Sequence, residues 1–165
     1  MNRIAGELKS TLPGLWLGAA LFFSAVVAPA AFGVLRQFDL PNANEIAGSI
    51  VNRGLTVINS SGFVIGLLAL VATLFWKKTG RRFTFAIQLL SQAVLTLATA
   101  TGKWIVAARM SALRTAMVIP IDQVAADDPR RQAFQQLHGY SVALLSAAMI
   151  ATLVAIVVSR REANG

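Results

Sequence analysis

Residues 139–159 read GYSVALLSAAMIATLVAIVVS, a stretch of 21 residues without Asp, Glu, Lys or Arg. An α-helix rises 1.5 Å per residue, so about 20 residues cross the roughly 30 Å hydrocarbon layer of a bilayer. Three further stretches share this character, at 10–35, 54–76 and 83–102, with 26, 23 and 20 residues. The sequence therefore predicts an all-α fold, an integral membrane four-helix bundle. It forms one domain over 1–165, with spans at about 12–35, 54–76, 83–102 and 139–159. Composition agrees: 56% of the 165 residues are hydrophobic and 13% charged, where soluble domains carry roughly 45–50% and about 25%.

Four spans put both termini and the connection between helices two and three on one side. That side carries Arg3, Lys9, Lys77, Lys78, Arg81, Arg82, Arg160 and Arg161 against Glu7 and Glu162. The other side carries Arg36, Arg53, Lys103, Arg109, Arg114, Arg130 and Arg131 together with five acids. Orientation follows the basic residues of short loops close to span ends, where Lys77, Lys78, Arg81 and Arg82 weigh most. Both termini are expected on the cytoplasmic face of a cell inner membrane. The same four residues are candidates for anionic lipid headgroups. The net charge of +8 is read as topogenic charge at helix ends, so no nucleic-acid partner is expected.

Several boundaries are legible. Helix three continues past Lys103 as far as Arg114, because residues 104–114 hold no Gly or Pro and consist mainly of good helix formers. Pro120 and the polar residues 122–128 end it. Asp128-Pro129 opens helix four, with Asp as cap and Pro at the first helical position, so helices three and four extend beyond the membrane on the non-cytoplasmic side. Pro29 is expected to bend helix one. Trp16, Trp76 and Trp104 are expected as boundary anchors, since indole is apolar with one donor to satisfy. The small residues at 28–31 after an apolar run resemble a cleavage site, but the run is longer than a signal core.

Much chemistry is excluded. The chain has no cysteine, hence no thiolate, disulfide, iron–sulfur cluster or sulfur-ligated zinc. No span contains a carboxylate, which disfavours ion-coupled pumping. There is no Gly-x-Ser-x-Gly elbow or phosphate loop, so no catalytic residue is assigned and an enzyme is not the favoured reading. No cofactor is expected. His138, the single histidine, is the one candidate metal or haem ligand.

What remains is a set of polar groups at membrane depth. Gln88, Gln92, Thr96, Thr99 and Lys103 recur every three or four residues on helix three, on one arc that should face inward. Asn59 on helix two and His138 with Ser141 on helix four complete the candidate binding set, expected to meet near the outer leaflet. The arc is either a polar path for a small solute or a set of interhelical hydrogen bonds. Gly14 and Gly18 on helix one, and Gly62 and Gly66 on helix two, are spaced four apart and are read as packing positions.

Several elements resemble a known family. They are Leu17-Gly18-Ala19-Ala20-Leu21-Phe22-Phe23 with Val27-Ala28-Pro29-Ala30-Ala31-Phe32, the pair Lys103-Trp104, and Asp128-Pro129 followed by Phe134-x-x-Leu137-His138-Gly139-x-Ser141. Together they resemble the transmembrane protein 205-like family, domain of unknown function 4149, as a bacterial member. Thr101 and Leu145 stand where that pattern often has Asn, which leaves His138 and Ser141 as the retained polar pair. The resemblance implies four helices and membrane residence without an established reaction, and it argues against cleavage at Ala30. The expected function is binding or passage of a small solute or metal species. A haem-binding or redox protein using His138 is one alternative, and a structural subunit of a membrane complex is another. A homo-oligomer is left open.

Overall fold

A computed structural model describes residues 2–75 and 82–163, with side chains over 11–75 and 82–161. Six α-helices form four long rods. The first rod joins α1 (Asn2–Phe22) to α2 (Ala28–Arg36) and the second is α3 (Ala43–Phe75). The third joins α4 (Arg82–Ala100) to α5 (Ala107–Met117), and the fourth is α6 (Pro129–Ala163). The described residues contain no strand. All four rods are long and apolar enough to cross a membrane, and the protein is a multi-pass membrane protein in build. Trp76, Lys77, Lys78 and Arg81 lie outside the described residues, and Arg82 is exposed.

The packing is that of a protein whose solvent is lipid. Leu15, Val57, Leu90, Leu97 and Ile150 are each more than 60% exposed, while many of the buried positions are Ala, Gly, Ser, Thr, Asn or Gln. Lipid tails compete equally for apolar side chains, so helices associate through close backbone approach and hydrogen bonds instead. The buried positions alternate in steps of three and four along every rod. They are Trp16, Ala20 and Phe23 on the first; Asn59, Gly62, Gly66, Ala69 and Thr73 on the second; Gln88, Gln92, Leu95, Thr99, Gly102 and Val106 on the third; and Ser141, Leu145, Ala148, Thr152 and Ala155 on the fourth. This 3.5-residue repeat is the seam of a left-handed bundle.

Gly62 and Gly66 lie where neighbouring helices approach closely. A Cβ at Gly62 would lie 2.7 Å from Trp16 Nε1 and 2.8 Å from Thr99 Cγ2, and one at Gly66 would lie 2.5 Å from Thr96 Oγ1. Gly14 and Gly18 do not pack within the chain, since a Cβ at either meets nothing within 4 Å. The inward stripe of α1 passes through Trp16 and Ala20, and the two glycines lie beside it. Trp16 corrects the sequence reading more sharply. It is 3% exposed and its Nε1 donates to the Ile58 carbonyl at 2.9 Å. The donor that suits an indole to the headgroup zone is satisfied in the core, reached through space that Gly62 leaves open.

Two π-helical turns interrupt the rods, at Phe23–Val27 and Thr101–Val106. In the first, Ala28 N–H donates to the Phe23 carbonyl, five residues back. Pro29 follows directly; it has no N–H and its ring crowds the carbonyl four residues earlier, so the widened turn accommodates it. Phe23 then packs on Gly54, where a Cβ would overlap its ring, and Arg36 Nε meets Asn44 Oδ1 at 3.3 Å. Residues 24–35 run alongside the polar start of α3, about 18 Å of helix beyond the level of Gly54.

Helix three runs past Lys103 as expected and beyond Arg114 to Met117, and helix four begins at Pro129. Asp128 Oδ1 accepts the Arg130 N–H at 2.7 Å, satisfying one of the free donors at the helix start. Helix three ends in a tight turn: Ile119 N–H donates to the Met117 carbonyl at 2.6 Å, with Val118 at φ 64. A β-branched residue in this region is strained, and Val118 is 90% exposed.

Candidate functional site

The polar arc of helix three faces inward. Gln88, Ser91, Gln92 and Thr99 are buried and Thr96 is half-buried. Asn59 on α3 and Ser141 on α6 are buried as well. A Cβ at Gly102 would lie 3.1 Å from Asn59 Nδ2, so Asn59 fits against the second π turn because that position has no side chain.

Most hydroxyls along this seam are satisfied locally. Thr96 Oγ1 donates to the Gln92 carbonyl at 2.8 Å, Thr99 Oγ1 to the Leu95 carbonyl at 2.7 Å, and Thr152 Oγ1 to the Ala148 carbonyl at 2.7 Å. Bonding back to the residue four earlier is the usual recourse of Ser and Thr within helices. Gln88 Nε2 reaches across to Ser159 Oγ at 3.2 Å and ties helix three to helix four near the termini.

Among the described residues, three buried side-chain oxygens meet no hydrogen-bond partner: Ser24 Oγ, Thr73 Oγ1 and Gln92 Oε1. Two of them belong to one region. Gly66 packs on Thr96, so Thr73, two turns nearer the termini on the same face of α3, lies level with Gln88 and within about one turn of Gln92. An unpaired polar atom away from water is costly. This stretch of the seam can therefore accept hydrogen bonds that the chain itself does not supply.

Lys103 and His138 stand apart from the seam. Lys103 is half-buried, with Nζ 4.9 Å from the Trp104 ring centroid, while Trp104 meets Phe63 edge to face at 4.8 Å. His138 is exposed, against the expectation that it shares the inward face. The inward stripe of α6 runs through Leu137 to Ser141 and Leu145, two successive steps of four, and Leu137 takes the place that His138 would need. A haem between helices draws its ligands from inward positions, which His138 does not occupy. Among the described residues no group of three or more His, Asp or Glu could hold a metal ion.

A second polar cluster, absent from the sequence reading, closes the end of the bundle away from the termini. Glu45 Oε1 accepts from Arg114 Nε at 2.5 Å, and Glu45 Oε2 accepts the Ile121 N–H at 3.1 Å. Asp122 in turn accepts the Glu45 N–H at 3.1 Å and Asn44 Nδ2 at 2.6 Å, capping α3 from another part of the chain. The guanidinium of Arg114 lies 6.0 Å from the Phe134 ring centroid. The Arg114 hydrogen bond holds the Glu45 carboxyl below its ordinary range, against partial burial that raises it. Glu45 on helix two meets Arg114 on helix three and the Ile121 N–H beyond it, residues 69 or more positions away, which no local pattern announces.

No curated protein and no solved structure matches the chain. Residues 11–118 match the family described as Domain of unknown function (DUF4149). They take in the first three rods and stop short of the Phe134-x-x-Leu137-His138-Gly139-x-Ser141 element. The match spans more than half of the sequence, and the chain belongs to the DUF4149 family.

Proposed function

We propose that this protein is a non-enzymatic membrane protein that binds a small hydrogen-bonding solute, or lets it pass, along the polar seam between helices two, three and four. The observation that carries this reading is the pair of buried, unpartnered oxygens, Thr73 Oγ1 and Gln92 Oε1. Gln92 Oε1 accepts and the Thr73 hydroxyl accepts or donates, so the solute presents at least one donor. The spans hold no carboxylate to balance a cation, which favours an uncharged one. Gln88, Thr96, Thr99, Ser141 and Asn59 line the rest of the route; Lys103 and His138 stand apart from it. An inner-membrane location with cytoplasmic termini fits the basic residues near the short connection between helices two and three.

The test is purification in mild detergent, with mass spectrometry and metal analysis of whatever copurifies. A small molecule present with the wild-type chain and lost from a Thr73→Val, Gln92→Leu double variant supports the reading. Retention of the same molecule by a folded double variant would overturn it.

A further inference from the structure

The polar seam changes character along its length. From Gly66 towards the end away from the termini it is shut. A Cβ at Gly66 would lie 2.5 Å from Thr96 Oγ1 and 3.2 Å from the Thr96 backbone nitrogen, and one at Gly62 would lie 2.7 Å from Trp16 Nε1 and 2.8 Å from Thr99 Cγ2. Helices one, two and three meet there without room for one added carbon, so neither a solute nor a water molecule has a way through. The polar groups at this level are satisfied from within, Trp16 Nε1 by the Ile58 carbonyl and the Thr96 and Thr99 hydroxyls by carbonyls of their own helix. The contiguous buried apolar cluster, with Trp16, Phe23, Ile58, Leu95 and Leu145 among its members, lies at this level and beyond it.

Towards the termini the balance reverses. Thr99 and Thr152 donate to the carbonyl four residues back, whereas Thr73, also buried, makes no such bond, and Gln92 Oε1 is unpartnered as well. Parting the helices at these two atoms breaks no hydrogen bond of theirs and lets each gain one, while parting them at Trp16 breaks a bond in the core. Gln88 Nε2 holds helix three to Ser159 of helix four at the same end, so helix two is the element that gives. We infer that the solute site at Thr73 and Gln92 is blind: it fills from the side of the termini as helix two parts locally from helix three, and the Trp16–Gly62–Thr99 contact is the barrier towards the other face. This rests on the solute reading above and narrows it to binding from one side.

The chain has no cysteine, so single introduced cysteines report access directly. The full chain is labelled in sealed vesicles of both orientations with a membrane-impermeant, charged methanethiosulfonate, and the mass of the intact chain is read. Arg82→Cys, at the exposed start of α4, and Val118→Cys, 90% exposed at the opposite end, mark the two sides. Thr73→Cys should react from the Arg82 side alone, about tenfold faster than Thr99→Cys, whose exposure breaks the indole hydrogen bond and unpacks a glycine contact. A Trp16→Leu, Thr99→Cys chain that keeps a cooperative melt should react from the Arg82 side, and its failure to do so would overturn the assignment of Trp16. Reaction of Thr73→Cys from the Val118 side, from neither side, or no faster than Thr99→Cys would overturn the inference. Loss of a copurifying molecule from the Thr73→Val, Gln92→Leu variant tests the solute reading separately, so either can fail alone.

Discussion

The Trp16 indole N–H donates to the Ile58 carbonyl at 2.9 Å, at a level where helix two has Gly62 instead of a side chain. Helices one and two are thus joined by a hydrogen bond that only a glycine at position 62 permits. Trp16→Phe removes the donor but keeps most of the ring, and should cost about 1 kcal/mol. Gly62→Val should cost more, because its added atoms meet Trp16 and Thr99. Gly14→Ala and Gly18→Ala, where nothing lies within 4 Å, should leave the unfolding midpoint unchanged. Intrinsic-fluorescence melts in detergent rank the four variants, and an equal loss at Gly14 and Gly62 would contradict the packing described.

Glu45 and Arg114 join helices two and three at the end away from the termini. Glu45→Gln keeps the shape but removes the charge that Arg114 and the Ile121 N–H engage, and should cost about 1–3 kcal/mol at neutral pH. The carboxyl titrates below its ordinary value of 4.5, chiefly because of the Arg114 hydrogen bond. Its contribution is therefore complete above pH 4.5 and declines as pH falls through the lowered value. Unfolding midpoints between pH 7 and pH 3 should fall less steeply for Glu45→Gln than for wild type.

Asp128 titrates at about 2 against an ordinary 3.8, held down first by the Arg130 side chain and then by the Arg130 N–H. A depressed carboxyl stabilises above its unfolded pKa and loses that effect on acidification, here between about 3.8 and 2. Asn caps a helix as well as Asp does. Asp128→Asn should therefore preserve amide protection over 130–132, whereas Asp128→Ala should raise hydrogen exchange there at neutral pH.

The spans, the extension of helix three past Lys103 and the start of helix four at Pro129 were legible because lipid imposes length and charge rules that act along one helix at a time. The inward arc of Gln88, Gln92 and Thr99 was legible for the same reason. Trp16 was misread because a boundary tryptophan and a buried one share the same preferences, and only the partner helix decides where the N–H finds its acceptor. His138 was misread because the stripe of α6 takes two successive steps of four, which places Leu137 inward. The cluster of Glu45, Arg114 and Asp122 depends on contacts between residues 69 or more positions apart, beyond the reach of spacing.

Gln88 and Gln92 lie one turn apart on α4 and are equally buried in type, yet they should respond oppositely to the same substitution. Gln88 Nε2 is bonded to Ser159, so Gln88→Leu removes an interhelical bond and leaves Ser159 Oγ with one partner fewer. Such bonds average about 0.6 kcal/mol in membrane proteins, and a loss of that order is expected. Gln92 Oε1 has no partner among the described residues, so Gln92→Leu removes a buried acceptor whose desolvation none of them offsets, and stability should hold or rise. If the seam holds a solute, that same variant should abolish the stabilisation the solute gives when added back, while Gln88→Leu should only weaken it. Melting curves with and without the copurified fraction separate these outcomes. A Gln92→Leu chain that is both less stable and still stabilised by that fraction would show that the carbonyl serves the fold and leaves the solute to other groups.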